Sequence, residues 1–292
     1  MNQKTFPREI LTITASGDSI TRTNPNTSQP PPGFPAKSAN TSSDRPEKQL
    51  IVKPASSQPI TQSVSVIVPT WNESETIERC LASVAALAPR EVIVSDGGSD
   101  DDTIARVKRF SEAATTRVIV TNGPRGRGQQ LATGANAASG DVLLFLHADC
   151  TLEANVIKQM RENHWPPWGG FYQRIDDRRW RFRWLERGNA LRVRTLGRVF
   201  GDQAIFVRRD WYERVGGFDA VALMEDVMLS SRLRKLGKPC LLPGPVSVDP
   251  RRWHRRGVIG QTRLNWQLQI AFARGVSPDE LRERYEKLSG TQ

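Results

Sequence analysis

VSVIVPTWNE, residues 64–73, is the stretch from which the fold is read. A short run of β-branched apolar residues ends at Pro69 and Asn72, as a strand buried on both faces does. Behind it, Asn72 or Ser74 can cap a helix in which Ile77, Leu81, Val84 and Leu87 recur at helical spacing. EVIVSDGG (91–98) reads as a second strand ending in a turn, 102–113 as a second helix and RVIVT (117–121) as a third strand. A helix over 129–138, the strand DVLLFLHAD (141–149) and a helix over 153–163 follow. This alternation predicts an α/β fold with a mostly parallel central sheet flanked by helices.

Further out the pattern loosens. Residues 165–200 are dense in Trp, Arg and Gly and show no clean βα period. GDQAIFVRR (201–209) reads as a strand, 224–236 as a helix, PCLLPGPVSV (239–248) as one or two short strands, and 258–274 and 278–288 as helices. Residues 1–62 are rich in Ser, Thr, Pro and Asn and include Pro30-Pro31-Pro32. Such a segment buries too little surface to offset its ordering entropy and is expected to be a disordered extension. A short strand or helix at about 9–13 is the alternative.

Composition narrows the function classes. The 292 residues carry 42 Lys and Arg against 31 Asp and Glu, a net charge of +11, which favours phosphates, nucleic acid or an anionic membrane as partners. Cys80, Cys150 and Cys240 lie far apart and form no C-x-x-C pair, so a disulfide scaffold or structural zinc site is not expected. No apolar run is long enough to span a bilayer, and the N-terminus lacks the apolar stretch of a secretory signal. A cytoplasmic protein is expected, with peripheral contact at the inner face of the membrane left open.

In open parallel sheets ligands bind beyond the carboxyl ends of the strands. Those ends carry Pro69-Thr70-Trp71-Asn72-Glu73, then Ser95-Asp96-Gly97-Gly98, then Pro124-Arg125-Gly126-Arg127-Gly128, then His147-Ala148-Asp149. One acid after a strand is usually a helix cap; acids at three ends and a Gly-Arg loop at the fourth suit a nucleotide diphosphate with a hard cation. Asp96 can take base or ribose hydroxyls, Asp149 a divalent metal, and Arg125 and Arg127 phosphate charge. The loop 123–134 matches neither G-x-G-x-x-G nor a P-loop.

VSVIVPTWNE, EVIVSDGGSDDDT, GRGQQLATGANAASGDVLLFLHADC, GDQAIFVRR and LMEDVMLSSRLRKLG together resemble a family 2 glycosyltransferase of the GT-A, or nucleotide-diphospho-sugar transferase, fold. The ending PCLLPGPVSVDPRRWHRRG, with Asn265-Trp266, is also similar to the small group labelled arsenosugar-biosynthesis-type glycosyltransferases. The resemblance implies one domain over 63–292: a nucleotide-binding half (63–150), an acceptor and catalytic half (151–255) and C-terminal helices (256–292). It implies that Pro69, Asn72, Glu73, Asp96, Arg125, Arg127 and Ala148 line the nucleotide pocket, that Asp149 binds Mn or Mg, and that Glu225 and Asp226 are the catalytic acids, Asp226 as base. His147 replaces the first Asp of the family's Asp-x-Asp motif. Trp168, Gly169, Asp202 and Gln203 would meet the acceptor and Arg252 a phosphate. The activity implied is metal-dependent, inverting transfer from a nucleotide-sugar donor, UDP-linked, to a hydroxyl acceptor, without nucleic acid. A nucleotidyltransferase-like α/β enzyme and a basic nucleic-acid-binding protein are the alternatives.

Two basic runs, 178–198 and 251–256, can be solvated faces, contact a diphosphate or attach to anionic lipid. The apolar stripe of the 258–274 helix (Ile259, Leu264, Trp266, Leu268, Ile270, Ala271) is expected to pack on the domain.

Overall fold

The computed structural model describes residues 10–13 and 62–289, all within one unit. The first half runs β1 (Ile10–Ile13), β2 (Val64–Thr70), α1 (Ile77–Ala85), β3 (Glu91–Asp96), α2 (Thr103–Ala113), β4 (Val118–Asn122), α3 (Arg127–Ala137), β5 (Val142–Phe145), β6 (Cys150–Leu152) and α4 (Val156–Glu162). The second half runs β7 (Trp168–Ile175), α5 (Trp180–Leu196), β8 (Phe206–Arg208), α6 (Arg209–Arg214), α7 (Glu225–Leu236), β9 (Cys240–Val248), α8 (Arg251–Ala273) and α9 (Pro278–Ser289). The strands form one sheet in the order β1-β4-β3-β2-β5-β8-β7-β9-β6. β4, β3, β2 and β5 are parallel, as the βα alternation requires; β8 pairs antiparallel with both β5 and β7 and ends the parallel half.

The continuous apolar runs are explained by burial on both faces. In β2, Val64, Val66 and Val68 enter one core cluster while Ile67 enters the other; Val92 and Val94 of β3 oppose Ile93 in the same way. α1 covers the first face with Ile77, Cys80, Leu81 and Val84, and α3 the second with Leu131 and Ala135. Gln130, on the buried face of α3, donates through Nε2 to the carbonyls of Thr70 (2.6 Å) and Ser95 (3.1 Å), tying that helix to the tips of β2 and β3.

Several elements differ from expectation. β1 lies inside the segment read as a disordered extension and pairs antiparallel with β4; residues 1–9 and 14–61 lie outside the described residues. The fourth parallel strand stops at Phe145, so His147-Ala148-Asp149 stands in the turn between β5 and β6 rather than on a strand. The Trp- and Arg-rich stretch holds β7 and the 17-residue α5. PCLLPGPVSV contains a single nine-residue strand. Its prolines remove ladder donors, and Gln159 of α4 compensates at the irregularity by bonding both the N–H and the carbonyl of Gly244, each at 2.8 Å. α8 begins earlier than expected and is kinked at Gly257, whose φ of 73° breaks the helical run.

Trp168 and Gly169, expected to meet the acceptor, open β7. Trp168 is fully buried and its indole N–H donates to Gly237 O at 3.0 Å. A Cβ on Gly169 would collide with the carbonyl of Cys240 on the neighbouring strand, main chain that cannot rotate away. Gly169→Ala is therefore expected to cost about 1–3 kcal/mol and to lower the thermal midpoint by several degrees in calorimetry.

Candidate active site

The loops after β2 and β3 are laced together. Asn72, at φ 54°, exchanges two hydrogen bonds with Asp100: its Nδ2 donates to Oδ1 (2.6 Å) and its Oδ1 accepts from the Asp100 N–H (3.0 Å). Asp96 is buried, and both its oxygens are engaged. Oδ2 accepts from the N–H groups of Gly98 and Ser99, and Oδ1 from the hydroxyls of Thr70 and Ser99. Asp96 therefore holds the turn after β3 in shape. Pro69 is buried at the tip of β2, and Ala148 packs into the core cluster. Arg125 lies 3.4 Å over the Trp71 ring and reaches Glu286 of α9 at 3.8 Å. The exposed ion pair contributes about 0–1 kcal/mol, so the stacking carries as much of this link as the charge does.

Asp149, half-buried, sits in the field of both Arg127 and Arg251, and both guanidiniums have their pKa raised. For Arg127 the largest cause is Glu225, and Asp226 and Asp149 add to it. Arg251 donates from Nη2 to Glu73 Oε2 at 2.6 Å, across a sequence separation of 178 residues. The expected phosphate residue was its neighbour Arg252, whose side chain lies outside the described residues.

Glu225 and Asp226 form the first turn of α7, entered through Met224 in a left-handed conformation at φ 67°. Glu225 is 1% exposed; Oε1 accepts from Arg127 Nη1 at 3.3 Å, and Oε2 has no hydrogen-bond partner. Burial pushes its pKa up to about 7 against the pull of Arg127. Asp226 is fixed from both sides, Oδ2 accepting the Gly201 N–H (2.8 Å) and Oδ1 the Val227 N–H (2.7 Å). Burial raises its pKa as well.

Both acids face a cavity of about 190 Å³ whose wall includes Arg127, His147, Asp202, Trp253 and Trp266. The structure thus joins Glu225, Asp226, Asp202 and Arg127, with Asp149 electrostatically coupled through Arg127. Gln203 is buried behind the wall, accepting from Arg192 at 2.7 Å, and Gln173 Nε2 donates to Asp202 at 2.9 Å. His147 turns toward Asp226: a Cβ on Gly201, whose N–H holds Asp226, would lie 2.5 Å from His147 Nε2.

Sequence reasoning placed Arg251 in a basic run but missed its pairing with Glu73, and it missed the cavity wall built by Gln261, Asn265, Trp266 and Gln269 of α8 with Tyr285 of α9. These positions depend on how the C-terminal helices fold back, and no local motif marks that.

Among the described residues no group of three or more His, Cys, Asp or Glu side chains is placed to hold a metal ion. The half-buried Asp149 carboxylate fits a different arrangement, in which Mg²⁺ or Mn²⁺ takes one carboxylate and completes its shell with a substrate's phosphate oxygens.

The profile of Glycosyl transferase family 2 matches residues 65–213. Glycosyltransferase AglE of Haloferax volcanii is 30% identical over 175 residues, which are 53% of this chain and 55% of that protein. The undecaprenyl-phosphate 4-deoxy-4-formamido-L-arabinose transferase of Sodalis glossinidius is 28% identical over 155 residues, 50% of this chain and 48% of that one. The chain thus spans about half the length of these curated relatives. Among solved structures, S. aureus TarS 1–349 aligns with a TM-score of 0.52 at 18% identity, covering 64% of this chain and 61% of that one. The mannosyltransferase PcManGT of Pyrobaculum calidifontis, in complex with GDP-Man and Mn²⁺, aligns at 0.53 and 23%, covering 73% and 62%. The fold is GT-A.

The raised pKa of Glu225 has a stability consequence. The folded state keeps its proton from about pH 4.5 to about 7 while the unfolded chain has lost it, so this contribution is present below about 4.5 and is lost as pH rises through about 7. Thermal midpoints measured from pH 5 to pH 8 are expected to shift in favour of Glu225→Gln relative to wild type. A constant difference between the two would count against the assignment.

Proposed function

The chain belongs to glycosyl transferase family 2, and on that premise we propose that it transfers a sugar from a UDP-linked donor to a hydroxyl acceptor, with inversion at the anomeric carbon. One observation carries the reading: Arg127 borders the cavity that contains Glu225 and Asp226 and also lies in the field of Asp149, so a donor diphosphate held at Asp149 would present its sugar to the acids.

In this reading Pro69, Asn72, Glu73 and Asp96 shape the loops that receive the nucleotide, Asp96 from beneath the turn. Arg125, Arg127 and Arg251 supply positive charge to the diphosphate, and Arg252 belongs to the same basic run. Asp149 would hold Mn²⁺ or Mg²⁺, and such an ion would offset the charge that grows on the departing diphosphate. Asp226, clamped by two backbone N–H groups, keeps a fixed orientation in the cavity wall. It accepts the acceptor hydroxyl's proton as that oxygen attacks the anomeric carbon on the face opposite the diphosphate. Glu225 anchors Arg127. Asp202, on the same wall, is placed to orient the acceptor. A single base without a covalent glycosyl-enzyme intermediate gives inversion.

No disulfide joins Cys80, Cys150 and Cys240, which suits a reducing, cytoplasmic setting. No helix among the described residues is long and apolar enough to cross a membrane, and contact at the inner face of a membrane would be peripheral.

Transfer and hydrolysis of UDP-sugars with Mn²⁺, with Mg²⁺ and with a chelator test the proposal. Asp226→Asn is expected to lower kcat by about 10²–10⁴ with little change in donor KM. Asp149→Ala is expected to abolish the extra thermal stabilisation that Mn²⁺ gives to the UDP complex. Full activity in both variants would end the site assignment, and equal activity under chelation would end the metal requirement.

A further inference from the structure

The two longest helices that wall the cavity also carry faces that no described residue covers. On α5, Trp180, Trp184 and Leu191 fall on one stripe and are 69%, 64% and 60% exposed. Exposed Arg181, Arg187 and Arg194 lie among them. On α8, beyond the kink, Ile259, Arg263, Trp266 and Ile270 form a second stripe, with Ile259 82% and Trp266 67% exposed. Leu264 and Leu268, on another side of that helix, are buried with Met224 and Leu281. The expectation that this apolar set packs on the domain holds for those two leucines and Ala271 and fails for Ile259, Trp266 and Ile270.

The charge of these faces has one sign. α8 contains no Asp or Glu, and the sole acid of α5, Glu186, is buried, accepting from the Ile175 N–H at 2.6 Å and paired with Arg183. A nucleic-acid groove would use the arginines and leave isoleucine and leucine unexplained. A protein socket would gather the apolar groups into one patch. Here they are strung singly along two helices, each near an arginine. That is how rings and aliphatic chains enter the acyl boundary of a bilayer while guanidiniums stay at headgroup phosphates.

We propose that α5 and α8 form a docking surface for an anionic lipid bilayer, and that the acceptor is a membrane-resident amphiphile entering the cavity from that surface. Trp266 belongs to both the exposed stripe and the cavity wall, and Leu185, Asn189 and Arg192 of α5 line the same cavity, so both helices that carry the stripes also border it. The docking half stands on the exposed faces alone. The acceptor half rests on the proposed transfer reaction.

The test is sedimentation of the full chain with vesicles of phosphatidylcholine alone and vesicles rich in phosphatidylglycerol. Binding is expected only to the second. Arg181→Gln/Arg187→Gln/Arg263→Gln should lower partitioning about a hundredfold, each arginine contributing roughly fivefold. Trp180→Ser/Trp184→Ser/Ile259→Ser should lower it at least about tenfold. Both triple variants should keep the wild-type thermal stabilisation by UDP and Mn²⁺, which shows that they are folded. Equal binding to neutral vesicles, wild-type partitioning in both variants, or self-association through this face without vesicle binding would overturn the docking surface. If UDP stabilises no form of the protein but vesicle binding follows the expected pattern, the donor reading fails and the docking stands. For the acceptor, incubation with labelled UDP-sugar and vesicles of total bacterial lipid should place label in the solvent-extractable lipid fraction; label confined to water-soluble product would overturn that half.

Discussion

Carboxylates held out of water beside a single guanidinium set the terms for this site. Removing an ion from water costs several kcal/mol unless it is paired. Glu225 has one oxygen on Arg127 and the other on nothing, and its proton affinity rises until it titrates near neutrality. The same guanidinium feels Asp226 and Asp149. Its position is therefore shared by the strand-tip side of the site and by the first turn of α7. The clamp from Gln130 to the ends of β2 and β3 serves that position, since it fixes the helix from which Arg127 projects.

The parallel half of the fold was legible because each strand is a continuous β-branched run and each helix an intact apolar period, signals that act over a few residues. The loops after the strands were legible for the same reason, and Arg127 lies in the field of Asp149, while Asp96 spends both oxygens on its own turn. The second half was less so. The density of Trp and Arg hid β7 and α5: Trp168 is core, whereas Trp180 and Trp184 point outward, and composition treats them alike. Arg251 pairs with Glu73 from the far end of the domain, a relation set by chain path alone.

The span matched by the family profile ends at residue 213, ahead of Glu225. The reading of Asp226 as base thus leans on geometry: two backbone donors, a cavity, and a shared arginine. The half of the molecule that would contact the acceptor is also the half built from irregular loops and the C-terminal helices. A donor-side scaffold can stay constant while such parts change the molecule that receives the sugar.

Gly128 and the chain at 219–221 touch through main chain: the Gly128 N–H donates to Val221 O at 3.1 Å, and a Cβ there would strike the Asp219 carbonyl. The separation between the helix start bearing Arg127 and the segment leading into Glu225 is therefore gauged by backbone and not by side chains, which can swing. Peptide groups in van der Waals contact act as a fixed stop. A single methyl group inserted at that point would alter the spacing of the two walls while leaving every charged residue in place.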